Sequence, residues 1–184
     1  MAKSVKQPRT FRDLPPERRH NAVVHEIEDE KQTDRAVAIV GAAYVDLVLR
    51  DAITTRFVIT DTKLMNEIFE DRGPLQDFGA RIKAAYALGI YGKAAFSDLG
   101  KITQIRNAFA HSADALDFNQ QDVTRICQSL WYPQKIQYTG RAAPATPRLI
   151  YTRAIALITD LLHSDRLRRK KGMDGEAILM APGN

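Results

Sequence analysis

Between Gly73 and His111 the chain carries two apolar stripes at helical spacing, separated by only four residues, Gly89 to Gly92. Leu75, Phe78, Ile82, Ala85 and Tyr86 share one face of the first segment, and Ala95, Leu99, Ile102, Ile105 and Phe109 share one face of the second. Two amphipathic helices joined by so short a link pack antiparallel, and neither can bury its stripe without further helices around it. The chain is therefore constrained to a helical bundle. Gly89 followed by apolar Ile90 reads as a left-handed helix terminus, and Gly92-Lys93 opens the second helix.

The remaining segments supply those neighbours. Thr33 and Asp34 are N-terminal capping residues for a helix from Arg35 to about Phe57, with Val37, Val40, Tyr44, Leu47 and Val48 inward. At a rise of ~1.5 Å per residue it spans about 35 Å, long enough to be the backbone of the bundle. Asp61 caps a shorter helix to about Glu70, stopped by Asp71-Arg72-Gly73-Pro74. Phe118 and Val123 form a hydrophobic staple around Asn119 and start a helix to about Leu130, with Cys127 on its buried face. Trp131 to Pro147 has no helical period and reads as a long connection; Thr146-Pro147 then opens a helix on Ile150, Ala154, Leu157, Ile158, Leu161 and Leu162. A weaker period at Val23, Val24 and Ile27 predicts a short helix near residues 21–31. No internal repeat or β-alternation appears, so the fold class is all-α, a bundle of about six helices.

At 184 residues the chain fits one domain, 21–171, with a basic flexible arm at 1–20, where Pro8, Pro15 and Pro16 break any regular element, and a flexible tail at 172–184. The net charge of +5 is compatible with a phosphate-bearing partner, RNA or DNA, without requiring one. Two basic clusters are candidates for such contact: Arg9, Arg12, Arg18 and Arg19 in the arm, and Arg166, Arg168, Arg169, Lys170 and Lys171 at the end of the last helix. Cations there also suit the negative end of the helix dipole, but five within six residues exceed that need. A single cysteine excludes an intramolecular disulfide and any multi-cysteine zinc site. The four histidines show no paired ligand spacing, and there is no Gly-rich phosphate loop, so neither metal nor cofactor is expected. With no secretory leader and no uninterrupted apolar run long enough to span a membrane, a soluble, cytoplasmic protein is expected, with no membrane partner.

The motif Arg106-Asn107-Ala108-Phe109-Ala110-His111 ends the central stretch. Arg106 falls at the edge of the apolar stripe, and a guanidinium there calls for a carboxylate, a subunit interface or a bound anion; Asp46, Asp77 and Asp98 are the candidate carboxylates. Asn107 and His111, four apart, share one flank. An imidazole titrating near neutrality and a fixed cation are the groups that metal-independent RNA cleavage needs, as proton acceptor and charge stabiliser. The bland alternative is that all three satisfy backbone or interface groups at a helix end.

This motif resembles the Arg-x4-6-His signature of the HEPN superfamily, small α-helical bundles of which many cleave RNA. The wider stretch, together with DRAVAIVGAAYVDLVLRD at Asp34 to Asp51, is similar to the mannitol operon repressor family over Thr33 to Ser112. The first resemblance implies a HEPN-like bundle in which Arg106, Asn107 and His111 act on RNA, leaving a 2′,3′-cyclic phosphate, with two copies of the site facing each other in a homodimer. The second implies a negative regulator of gene expression, of a sugar-alcohol operon, working through protein or nucleic-acid contacts. A non-enzymatic helical adaptor is the third reading. The turn at Gly89–Gly92 is the nearest approach to a helix-turn-helix, but both flanking helices carry core stripes and leave no free recognition face.

Overall fold

A computed structural model describes residues 14–70, 72–113, 115–135 and 145–170, and among these every regular element is a helix. They are α1 (Pro16–Glu28), α2 (Asp34–Thr54), α3 (Thr62–Phe69), α4 (Phe78–Ala87), α5 (Lys93–His111), α6 (Gln121–Gln128), α7 (Tyr132–Lys135) and α8 (Pro147–Lys170). The all-α bundle expected from the stripes is what forms.

Helix α2 is the axis, touching α1, α4, α5 and α8. Its two faces are both covered: Val37, Ala38, Val45, Val48, Leu49, Ala52 and Ile53 are buried. Helix α8 packs tightly on it at Gly41, where a β-carbon would lie 3.2 Å from Ile155 Cγ1, so a larger residue would push the two helices apart. Beside that contact the Tyr151 hydroxyl donates to the Ala38 carbonyl at 2.7 Å. The core continues through Leu99, Ile102, Ile105 and Phe109 of α5 to Phe118, Cys127 and Leu130. Burial pushes the Cys127 thiol up to about 12, so it packs as an apolar group and is not activated.

The helix ends follow the local chemistry of the sequence. Thr33 accepts from Ala36 N at 3.2 Å, Asp61 from Leu64 N at 2.9 Å, and Asp77 from Ala80 N at 2.8 Å. Gly89 has φ +65°; its N–H donates to Tyr86 O and that of Ile90 to Ala85 O, both at 3.0 Å, while Ile90 is buried. That is the two-bond left-handed helix stop. Three expectations shift. Residues 16–20, assigned to the arm for their prolines, begin α1, because Pro16 sits in its first turn where no N–H is needed. Helix α6 is capped at Gln120, one residue later than Asn119, because Asp117 Oδ1 draws in both Asn119 N and Gln120 N. The connection after Trp131 contains α7, held by Asp98, whose buried carboxylate accepts from Trp131 N and Tyr132 N at 2.9 Å. Residues 1–13 and 171–184, which contain most of the expected arm and tail, lie outside the described residues.

Candidate functional site

Arg106, Asn107 and His111 lie on the last two turns of α5, and all three are exposed. Ile105 and Phe109 are fully buried, whereas Arg106, within one turn of both, is exposed. It therefore does not face the core as its edge position suggested. Its hydrogen-bond partner is a neighbour: Arg106 Nη1 donates to Asn107 Oδ1 at 2.9 Å. The carboxylates considered for it are occupied elsewhere, Asp98 at the start of α7, Asp77 as the cap of α4, and Asp46 by Arg81. Among the described residues Arg106 forms no ion pair.

His111 closes α5, and Ser112, its C-cap, receives the Arg35 guanidinium on its carbonyl at 2.8 Å. The motif thus sits beside the start of α2. Arg106 and His111, five positions apart on a helix, point about 140° from each other. One chain offers an exposed cation and an exposed imidazole but does not aim both at a common point; Asn107 and His111 do share a flank.

The basic clusters separate. Arg18 is exposed on α1. Arg19 is buried at 8% exposure, donating to Leu14 O at 3.1 Å and to Asp51 Oδ2 at 3.4 Å, so it belongs to the bundle and not to a nucleic-acid-facing arm. Arg166 reaches the same Asp51 oxygen at 3.2 Å and is partly buried. Arg9, Arg12 and Lys171, and the side chains of Arg168, Arg169 and Lys170, lie outside the described residues.

Two polar arrangements were not anticipated. Arg81 of α4 is 7% exposed and donates to Asp46 Oδ2 at 2.6 Å, Leu75 O at 2.7 Å, Gln76 O at 2.8 Å and Phe69 O at 3.3 Å, clamping the α3–α4 link to α2. Its place between Phe78 and Ile82, inside the apolar stripe, was the available signal. The other joins α1, α2 and α8: Tyr44 and His163 share a 3.0 Å hydrogen bond, and His20 lies 3.0 Å from Asp160. Burial, then the nearby charges of His20 and Arg166, hold the His163 imidazole below the usual histidine range. Among the described residues no group of three or more His, Cys, Asp or Glu could hold a metal ion, and no helix is long and apolar enough to cross a membrane.

Fold and surface together define an all-helical bundle with an exposed polar helix end and a core held by internal ion pairs. Residues 22–152, more than half of the chain, match the family described as the mannitol repressor, MtlR, and the chain belongs to that family. The X-ray structure of the MtlR–HPr complex from Escherichia coli contains a similar fold, at TM-score 0.59 and 19% identity, over 80% of this chain and 97% of that one. A search of the curated proteins gives no match.

Proposed function

We propose that this chain is a negative regulator of gene expression of the mannitol-operon type, acting in the cytoplasm through contact with an HPr protein and not by reading DNA. The observation that carries the reading is family membership over residues 22–152, supported by the likeness to an MtlR chain captured with HPr. The bundle agrees with it. On either side of the Gly89–Gly92 turn, α4 buries Ile82 and Ala85, and α5 buries Ile102, Ile105 and Phe109, so neither helix is free to enter a major groove. A mannitol-operon promoter reporter tests it: expression falls when the chain is present and HPr is available, and repression is lost when HPr is deleted. Repression undiminished without HPr, with retardation of the promoter fragment by the pure protein, would replace the protein-contact mechanism with direct binding.

A second reading rests on one observation, the exposure of Arg106, Asn107 and His111 with no carboxylate among the described residues engaging the guanidinium. Those groups suit metal-independent RNA cleavage, and their divergence on one helix means that a homodimer would have to bring two copies together. Incubation of RNA with wild type and His111→Ala in EDTA decides it. Fragments ending in 2′,3′-cyclic phosphate from wild type alone support cleavage; intact RNA in both leaves the motif a surface feature. The basic residues Arg18 and Arg166 and the cluster through Lys171 remain proposed phosphate contacts, tested by retention of oligonucleotide at low salt and its loss at high salt.

A further inference from the structure

The face of α5 opposite its core stripe forms one wall of a groove of about 490 Å³, with α4 and α6 as the others. Its apolar lining is Ile82, Phe96 and Ile126. Phe96 is continued by Tyr86, whose ring centroid lies 4.6 Å away and which is 43% exposed. Two lysines, Lys83 from α4 and Lys101 from α5, line the groove, with no carboxylate among its described lining residues. Lys101 is drawn toward Asp98 at 3.4 Å and to the Ser129 carbonyl, whereas Lys83 is exposed and forms no ion pair among the described residues.

Two glycines line opposite walls, Gly79 on α4 and Gly100 on α5. Glycine inside a helix is less stable than alanine, so a helical glycine needs a reason. At Gly41 the reason is the close approach of Ile155. At Gly100 the chain supplies none: a β-carbon there would meet no atom within 4 Å, and φ is not positive. At Gly79 a β-carbon would meet Asp77 Oδ1, the oxygen that caps α4, at 3.3 Å, so the open space lies at Gly100. The missing side chain there leaves room for something outside the fold. On α5 the lining positions Ser97, Gly100, Lys101 and Gln104 run along one face over about 10 Å, a length that seats about two turns of an added helix.

We infer that the α4–α5–α6 groove is a docking site for an amphipathic helix of a partner protein, seated by apolar residues on Ile82, Phe96 and Ile126 and held by flanking carboxylates on Lys83 and Lys101. The charge of the lining selects an acidic helix, and Gly100 lets its backbone come close. None of the groove's described lining residues belongs to the Arg106 motif, although Asn107 and His111 continue the same face of α5 beyond Gln104, and the inference does not rest on the HPr reading.

The test is fluorescence anisotropy with a labelled, lactam-stapled peptide about four turns long, leucines on one stripe and glutamates on both flanks, and a counterpart with lysines on the flanks. Wild type binds the glutamate peptide saturably and the lysine peptide at least about tenfold more weakly. Gly100→Leu fills the groove, keeps its thermal transition, and weakens the glutamate peptide about tenfold or more; Lys83→Glu does the same and improves the lysine peptide. Equal binding of both peptides, no saturable binding, or binding indifferent to Gly100→Leu overturns the inference. So does sedimentation showing a wild-type dimer that Gly100→Leu dissociates, which would assign the groove to a second copy of the chain.

Discussion

Arg81 Nη1 lies 2.6 Å from Asp46 Oδ2, an ion pair that fixes α4 to α2 below the level of the surface. The same guanidinium satisfies three carbonyls around the α3–α4 link, so one side chain neutralises a charge and closes a loop. Replacing it by methionine removes the donor shared by the Asp46 carboxylate and the carbonyls of Leu75, Gln76 and Phe69. Arg81→Met is expected to lower stability by about 3–5 kcal/mol in urea titration, and Arg81→Lys to recover little of it, because an ammonium cannot reproduce the planar fork. A loss no larger than that of a surface pair would show the clamp to be incidental.

His163 is held below its ordinary value of 6.5 by burial first and then by His20 and Arg166. The sign follows. Between the lowered native value and 6.5 the unfolded chain binds a proton that the native chain does not. The stability contributed by the neutral imidazole is complete above 6.5 and falls as pH drops through that value toward the native one. Urea midpoints measured on either side of that value are therefore expected to separate more in wild type than in His163→Gln, which cannot titrate. The same acid sensitivity in both proteins would place its origin in other groups.

Gly100 carries no conformational or steric requirement of the fold. Gly100→Ala is expected to stabilise the isolated protein by roughly 0.8–1 kcal/mol, a rise of about 2–4 °C in thermal midpoint. A drop in the midpoint on this substitution would mean that the position has an internal contact after all.

Asp98 is fully buried and spends both oxygens on the backbone where α7 begins, with Lys101 nearby. Asp98→Ala is expected to cost about 1.5–3 kcal/mol or more and to raise amide exchange at Trp131 and Tyr132, since two N–H groups lose a charged acceptor. Protection unchanged at those amides would contradict the role assigned to the carboxylate.

The helices were legible because their signals are local. Thr33, Asp61 and Gly89 act on groups within a few residues, and the stripes of α2, α5 and α8 state their own inward faces. What failed to show were relationships fixed only when helices meet. Nothing near Arg81 in the chain names Asp46 as its partner, and Asp98, a candidate partner for Arg106 in the sequence, is instead taken up by the backbone at the start of α7, which folds over it. Arg106 sat at the edge of a stripe, and its angular position near Leu99, Ile102 and Phe109 did not reveal that it is exposed in the folded bundle. Pro15 and Pro16 read as breakers, although proline in a first helical turn starts a helix as readily as it ends one. The candidate motif was therefore located correctly on its helix, while its direction and the groove along α5 were not readable.

The most direct test of the regulatory account is isothermal titration of the purified chain with HPr from the same organism, with a promoter fragment titrated in parallel. Saturable heat is predicted with HPr, and with the promoter fragment none beyond the salt-sensitive heat that an unrelated fragment gives. Promoter-specific heat without heat from HPr would contradict it.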